Sequence, residues 1–200
     1  TANNQFSPAI TALANGGFVV MWTSTNQDSY GNNDYGVYGQ RYTSSGVAVG
    51  SEFLINTYVI GHQSEPVITS LADGGFVVTW RCGNNICSQL YSVNGSGASP
   101  LGSEFQMNTD TFTDEYPTVA VLTGGQIVTT WYTITPRSVI HGQLYSSTGS
   151  AVGSEFQINT DTLYDSNPTV AGLTGGGFVV TWGCGNKICS QLYSSTGSAV

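Results

Sequence analysis

The sequence predicts an all-β fold built from four tandem, four-stranded antiparallel units, and three recurrences carry that prediction. Tryptophans stand at Trp22, Trp80, Trp131 and Trp182, spaced by 58, 51 and 51 residues. A proline precedes each of them by 14 residues, at Pro8, Pro66, Pro117 and Pro168. A Gln-x-Tyr triplet follows each, ending at Tyr42, Tyr91, Tyr145 and Tyr193. No stretch of useful length carries the apolar period of a helix.

Within a unit the elements read in order. The first strand starts at the proline, as in Pro8–Leu13, where a missing N–H does least harm, and ends at the turn Asn15-Gly16-Gly17. The second, FVVMW or FVVTW, is a continuous apolar run, as expected of a strand covered on both faces. The third, VYGQRY or ICSQLY, alternates and stops at a Ser/Thr/Gly turn. The fourth, SEFLIN in the first unit, alternates polar and apolar and belongs at an edge. The units run 1–57, 58–109, 110–160 and 161–200, the last without its fourth strand. A lone sheet of this size cannot cover both its faces, so neighbouring units must stack. Radial stacking makes each unit a β-propeller-like blade, the arrangement favoured by this unit length; a linear stack of sheets is the alternative.

The motifs GGFVVTW, GQLY and GSEFQINT resemble a family of repeats, roughly 50 residues long, found in very large secreted or surface proteins of microbes. The resemblance covers essentially the whole chain. It implies tandem propeller-type arrays, an extracellular setting and no assigned catalytic activity. The chain departs from that family in its second and fourth units, where Cys-x-x-x-x-Cys replaces a longer Asp/Gly loop.

Composition excludes several functions. Four basic residues against a net charge of -8 cannot form a stripe that tracks a nucleic-acid backbone. No apolar run is long enough for a helical membrane span. With 40% hydrophobic residues the chain can nevertheless bury a core.

Cys82 with Cys87 and Cys184 with Cys189 occupy equivalent turns between the second and third strands. Equivalent turns of alternate units should lie far apart, which favours two local disulfides over a four-cysteine zinc site. Directly facing cysteines would set Trp80 opposite Gln89 and Val78 opposite Tyr91, with Trp182 opposite Gln191 and Val180 opposite Tyr193. Stable disulfides imply an oxidising compartment and hence secretion or a cell-surface location.

Candidate chemistry is sparse. Glu52, Glu104 and Glu155 recur in the same motif and read as scaffold rather than as an acid/base pair. His62 and His141 belong to different units and read as surface or turn residues. Asp28, Asn32 and Asp34 on a Gly-containing turn are weak calcium candidates, and Asp110, Asp114 and Glu115 are similar ones. Asn94-Gly95-Ser96 is a glycosylation sequon on a turn, whereas Asn167-Pro168-Thr169 is excluded by its proline.

These readings lead to an extracellular structural repeat protein, glycosylated and assembling into a fibre or surface layer, with no enzymatic activity and no cofactor. Its expected partners are copies of itself, joined through the chain ends and edge strands. The Ser-Ser-Thr-Gly-Ser-Ala-Val end runs on into Gly-Ser-Glu-Phe in internal copies, so either the register continues or a neighbour supplies the missing strand. The alternative is a multivalent, lectin-like carbohydrate-binding module that displays aromatic, Asn and Asp side chains.

Overall fold

A computed structural model describes residues 4–27, 35–59, 61–95, 97–109, 111–134, 138–160 and 165–200. The described residues form strands and turns, with no helix. The first sheet takes β1 (Gln5–Ala12), β2 (Phe18–Thr25), β3 (Tyr35–Tyr42) and β4 (Ala48–Leu54) in chain order. The second takes β5 (Gln63–Ser70), β6 (Phe76–Cys82), β7 (Asn85–Asn94) and β8 (Gly97–Gln106). The third takes β9 (Asp114–Val121), β10 (Ile127–Thr133), β11 (Val139–Tyr145) and β12 (Ala151–Gln157). The fourth has three strands, β13 (Asp165–Gly172), β14 (Phe178–Cys184) and β15 (Lys187–Tyr193). Every described pairing is antiparallel, as a propeller-type blade requires.

The chain divides into two compact units, one of Thr1–Gly83 with Cys87–Gln106, the other of Asn84–Ile86 with Met107–Val200. In the first unit, Leu13, Val19, Met21 and Val37 of one sheet meet Phe76, Val78, Trp80 and Tyr91 of the next. In the second, Leu122, Val128, Ile140 and Leu144 meet Phe178, Val180, Trp182 and Tyr193. Trp80 and Trp131 are fully buried, which places the repeated tryptophan between sheets rather than on a rim.

The recurrent motifs each do a structural job. Phe76 stacks on Tyr91 and Phe178 on Tyr193 with ring centroids 4.9 Å apart. In the first three sheets the Gln of Gln-x-Tyr bridges to the fourth strand, as where Gln40 Nε2 donates to Val49 O and Gln143 Nε2 to Val152 O, both at 3.2 Å. The Tyr hydroxyl reaches back to the preceding repeat, from Tyr91 to Ile55 O at 3.2 Å and from Tyr145 to Met107 O at 2.8 Å. The Asn after the fourth strand accepts a third-strand amide: Val37 N–H to Asn56 and Ile140 N–H to Asn159, each at 2.9 Å.

Two local expectations are corrected. The first strand starts three residues before its proline, at Gln5 rather than Pro8. The proline sits inside a bulge, where the register slips between Phe6 and Ala9, and the bulge absorbs the absent N–H. The disulfides exist, but the cysteines do not face each other directly. In the fourth sheet Cys184 pairs with Lys187 and Trp182 with Cys189, while Gln191 lies opposite Val180 and Tyr193 opposite Phe178. A two-residue turn of Gly185 (φ +60°) and Asn186 closes the hairpin, so the ladder is two residues out from the expected register. The twist of so short a hairpin brings diagonal positions on one face together, and both bridges span 5.8 Å between Cα atoms.

Candidate functional site

The pattern-breaking residues gather where the first strand of each sheet begins. The residue before the repeated proline has a left-handed backbone in all four sheets: Ser7 (φ +49°), Glu65 (+56°), Tyr116 (+51°) and Asn167 (+49°). Such a conformation in a residue other than glycine stores roughly 1–3 kcal/mol of strain, and strain of this kind concentrates at functional sites. The bulge also re-aims the side chain. The surrounding framework repeats almost unchanged, but this position reads Ser, Glu, Tyr and Asn. Every one of those side chains can make hydrogen bonds.

In the first unit an aromatic row lies beside this position. Phe6 meets Tyr35 edge-on at 5.2 Å, and Tyr35 meets His62 at 4.2 Å between ring centroids. Phe6 is 37% exposed and His62 is exposed. Ser7 on β1 and half-buried Glu65 on β5 lie on neighbouring strands that pack together. Behind them, Gln63 is fully buried and accepts the Trp80 Nε1–H at 3.0 Å, which fixes the start of β5 against the core.

The second unit holds similar ingredients. Tyr116 and Asn167 are exposed at the bulges of β9 and β13, which pack together, and Phe112 is exposed just before β9. The positions equivalent to Gln63 are Asp114 and Asp165, both buried. Asp114 accepts the Thr133 hydroxyl at 2.5 Å and Asp165 accepts Asn159 Nδ2 at 2.6 Å.

Two of the recurrent glutamates, Glu104 and Glu155, join successive repeats, while Glu52 bonds within its own. Glu104 accepts the Thr57 N–H at 2.6 Å and the Thr57 hydroxyl at 2.7 Å. Glu155 accepts both from Thr109 at 3.0 Å, and Glu52 accepts from Gln27. His141, far from a bare surface residue, lies 2.7 Å from Glu155 through Nδ1 and parallel to Trp131 at 6.0 Å. Burial alone would raise the Glu155 carboxyl, but the hydrogen bonds from His141 and Thr109 outweigh it and hold the group below its ordinary value. Burial first, and then the glutamate charge, push the Tyr91 and Tyr145 hydroxyls far above the ordinary tyrosine range.

All four cysteine sulfurs are tied up in the two bridges, which removes the thiolates a zinc site would need. Among the described residues no cluster of three or more His, Cys, Asp or Glu side chains is placed to hold a metal ion. The calcium candidates Asp28, Asn32 and Asp34 lie outside the described residues, as does Asp110. Asp114 is buried beneath Thr133, with Glu115 half-buried at its side. Asn94 is exposed at the end of β7, where a glycan would meet solvent. Among the described residues no helix is long and apolar enough to cross a membrane. The two disulfides fit an oxidising, extracellular environment.

No family model matches the chain, and no curated protein matches its sequence. Solved structures do resemble it. A protein of unknown function from Dyadobacter fermentans matches with a TM-score of 0.60 at 12% identity, over 98% of this chain and 67% of that one. A xylan beta-1,4-xylosidase from Bacillus halodurans matches with a TM-score of 0.59 at 13% identity, over 99% of this chain and 43% of its own length. The catalytic domain of an alpha-L-arabinofuranosidase from Coprinopsis cinerea matches with a TM-score of 0.58 at 10% identity, over 98% and 67%. At these identities the likeness establishes the fold, a β-propeller type, rather than the linear stack. The chain spans less than half of the xylosidase it matches.

These neighbours correct two expectations. The xylosidase and the arabinofuranosidase among these neighbours tell against the structural-fibre expectation. The expectation that the chain has no catalytic role falls with it, because hydrolases share this fold. The lectin-like alternative also changes in detail: Trp80, Trp131 and Trp182 are buried and Trp22 is half-buried, and the exposed aromatic rings belong to residues outside the repeat motif.

Proposed function

We propose that the chain recognises carbohydrate through the strained starts of its first strands, in a secreted or cell-surface protein of the repeat type its motifs resemble. The observation that carries this reading is the Phe6–Tyr35–His62 row, flanked by Ser7 and Glu65 on adjacent strands. A sugar ring presents C–H faces to aromatic rings and hydroxyls to polar side chains, and this site offers both where two sheets pack together. The net charge of -8 favours neutral oligosaccharides over sialylated or uronate-rich ones. Phe112, Tyr116 and Asn167 offer a second site of similar chemistry in the other compact unit. Two such sites on one chain would add avidity for a polysaccharide.

The test is a panel of immobilised neutral and anionic oligosaccharides probed with the 200-residue chain. Saturable binding to neutral members is expected, and Tyr35→Ala should weaken it by about tenfold or more, equivalent to roughly 1.4 kcal/mol. Glycans that bind are then incubated with the chain and assayed for released sugar, which would add hydrolysis to recognition. Absence of binding to every neutral member would overturn the reading.

A further inference from the structure

One arginine breaks the repeat. Before the recurrent tyrosine of the third strand, β3 carries Arg41 where the other sheets carry Leu90, Leu144 and Leu192. Arg41 is 8% exposed, and its Nε–H has no hydrogen-bond partner. Its Nη1 donates to the main-chain carbonyl of Asn94, and to that of Gly97 at 3.3 Å. Among the described residues no carboxylate pairs with it, so a buried cation is held by carbonyl oxygens alone.

The carbonyl it holds belongs to the β7–β8 hairpin, whose last pair is Asn94 with Gly97. Val93 and Ala98 flank that turn and pack against the core of the first compact unit, which keeps the turn on Arg41. Asn94 and Gly95 are themselves exposed, and nothing crowds the Gly95 α-carbon.

Asn94-Gly95 is one of two Asn-Gly pairs in the chain, the other being Asn15-Gly16. Such a pair can close on itself, because glycine has no side chain to hinder its own amide nitrogen. The Gly95 nitrogen gives its proton to solvent base and bonds to Asn94 Cγ. The Cγ–Nδ2 bond breaks, and ammonia leaves with a proton returned by solvent. As the nitrogen loses its proton, negative charge spreads onto the oxygen of the same peptide group, the Asn94 carbonyl. A guanidinium seated on that oxygen stabilises the charge where it develops.

Water then opens the five-membered imide. Attack at the former main-chain carbonyl carbon breaks its bond to the Gly95 nitrogen and yields isoaspartate. The carboxylate set free contains the oxygen that Arg41 already holds, so the buried cation gains a counter-charge. Asn15 has no such help among the described residues. Its Oδ1 instead accepts the Gly17 N–H at 3.1 Å, which pins the side chain.

We infer that Asn94 is a self-modifying site, converted by solvent water to isoaspartate with the assistance of Arg41. The same side-chain nitrogen would carry a glycan at the Asn94-Gly95-Ser96 sequon, so the two modifications exclude each other. This site is separate from the proposed carbohydrate site and does not depend on it.

The test incubates the 200-residue chain, made without glycans, in mildly alkaline buffer. Its peptides are then read by mass spectrometry with fragmentation that separates isoaspartate from aspartate. In the folded chain Asn94 is expected to convert about tenfold faster than Asn15, with isoaspartate dominant, and the two rates should converge in urea. Arg41→Leu installs the residue of the other three sheets; it should slow Asn94 by about tenfold and leave Asn15 unchanged. The comparison of folded with urea-unfolded wild type needs no variant, and thermal unfolding shows whether Arg41→Leu has folded. An Asn94 rate at or below that of Asn15 in the folded wild type would overturn the inference. So would a folded Arg41→Leu chain whose Asn94 converts as fast as the wild type or faster.

Discussion

The Tyr145 hydroxyl donates to the Met107 carbonyl at 2.8 Å, tying the third strand of one repeat to the end of the repeat before it. Both groups are buried, so the bond satisfies an acceptor that water cannot reach. The same connection recurs between Tyr91 and Ile55 at 3.2 Å and between Tyr193 and Ile158 at 3.5 Å. The repeated tyrosine is therefore a tether between repeats as well as a packing residue.

Tyr145→Phe keeps the ring and removes only the donor. Leaving the Met107 carbonyl unpaired should cost about 1–2 kcal/mol and lower the melting temperature by a few degrees. Tyr193→Phe, whose bond is longer, should cost less. Thermal denaturation of the two variants side by side checks the order.

Trp80 and Tyr35 separate scaffold from site. Trp80→Ala removes a fully buried ring and leaves Gln63 without its indole donor, which should cost roughly 3–5 kcal/mol. Tyr35→Ala should alter stability far less and act on glycan binding. Denaturant titration paired with the binding assay resolves the two, and matched losses of stability and binding in both variants would deny the site its separate role.

Each disulfide closes a loop of sequence separation 5, and loop-closure entropy assigns such a bridge about 2 kcal/mol. The paired substitution of Cys184 and Cys189 by alanine should destabilise the chain by about that amount. Reduction of the wild type should lower its denaturation midpoint further than reduction of the variant, because two bridges open rather than one.

Stability should fall at both ends of the pH scale. The Glu155 carboxyl is held below its ordinary value, so its contribution is present above the ordinary carboxylate range and is lost as pH drops through the folded value. Wild type should exceed Glu155→Gln in stability at neutral pH and lose that advantage in acid. Burial raises the Tyr91, Tyr145 and Tyr193 hydroxyls, so the unfolded chain releases those protons first. Unfolding should become easier as pH rises beyond about 10, where unfolded tyrosines ionise. Melting curves across the pH range, with Tyr145→Phe as control, test both limbs.

Much of the fold was legible because the same physics is written four times. Recurrent Trp, Tyr and Gly-Gly-Phe positions specify buried faces, and Cys82–Cys87 and Cys184–Cys189 formed the local bridges their spacing implies. The disulfide register was misread because facing cysteines and diagonal cysteines share one spacing, and only the Gly185-Asn186 turn decides between them. The candidate site was harder to see. Ser7, Glu65, Tyr116 and Asn167 have nothing in common as side chains, and their shared left-handed backbone is invisible in composition. One signal was present all along: they are the residues that vary immediately before a proline that does not. His62 joins Phe6 and Tyr35 only after the first two sheets pack, so no spacing along the chain announces the row.

The pre-proline bulge separates recognition from folding. The proline and its bulge recur in all four sheets while the residue before it changes freely among Ser, Glu, Tyr and Asn. Ser7, Tyr116 and Asn167 are exposed at this position, so a new side chain can be installed there at little cost to the core. Duplicating such a repeat and altering this single codon would create a protein with a new binding preference on an old frame, one letter at a time.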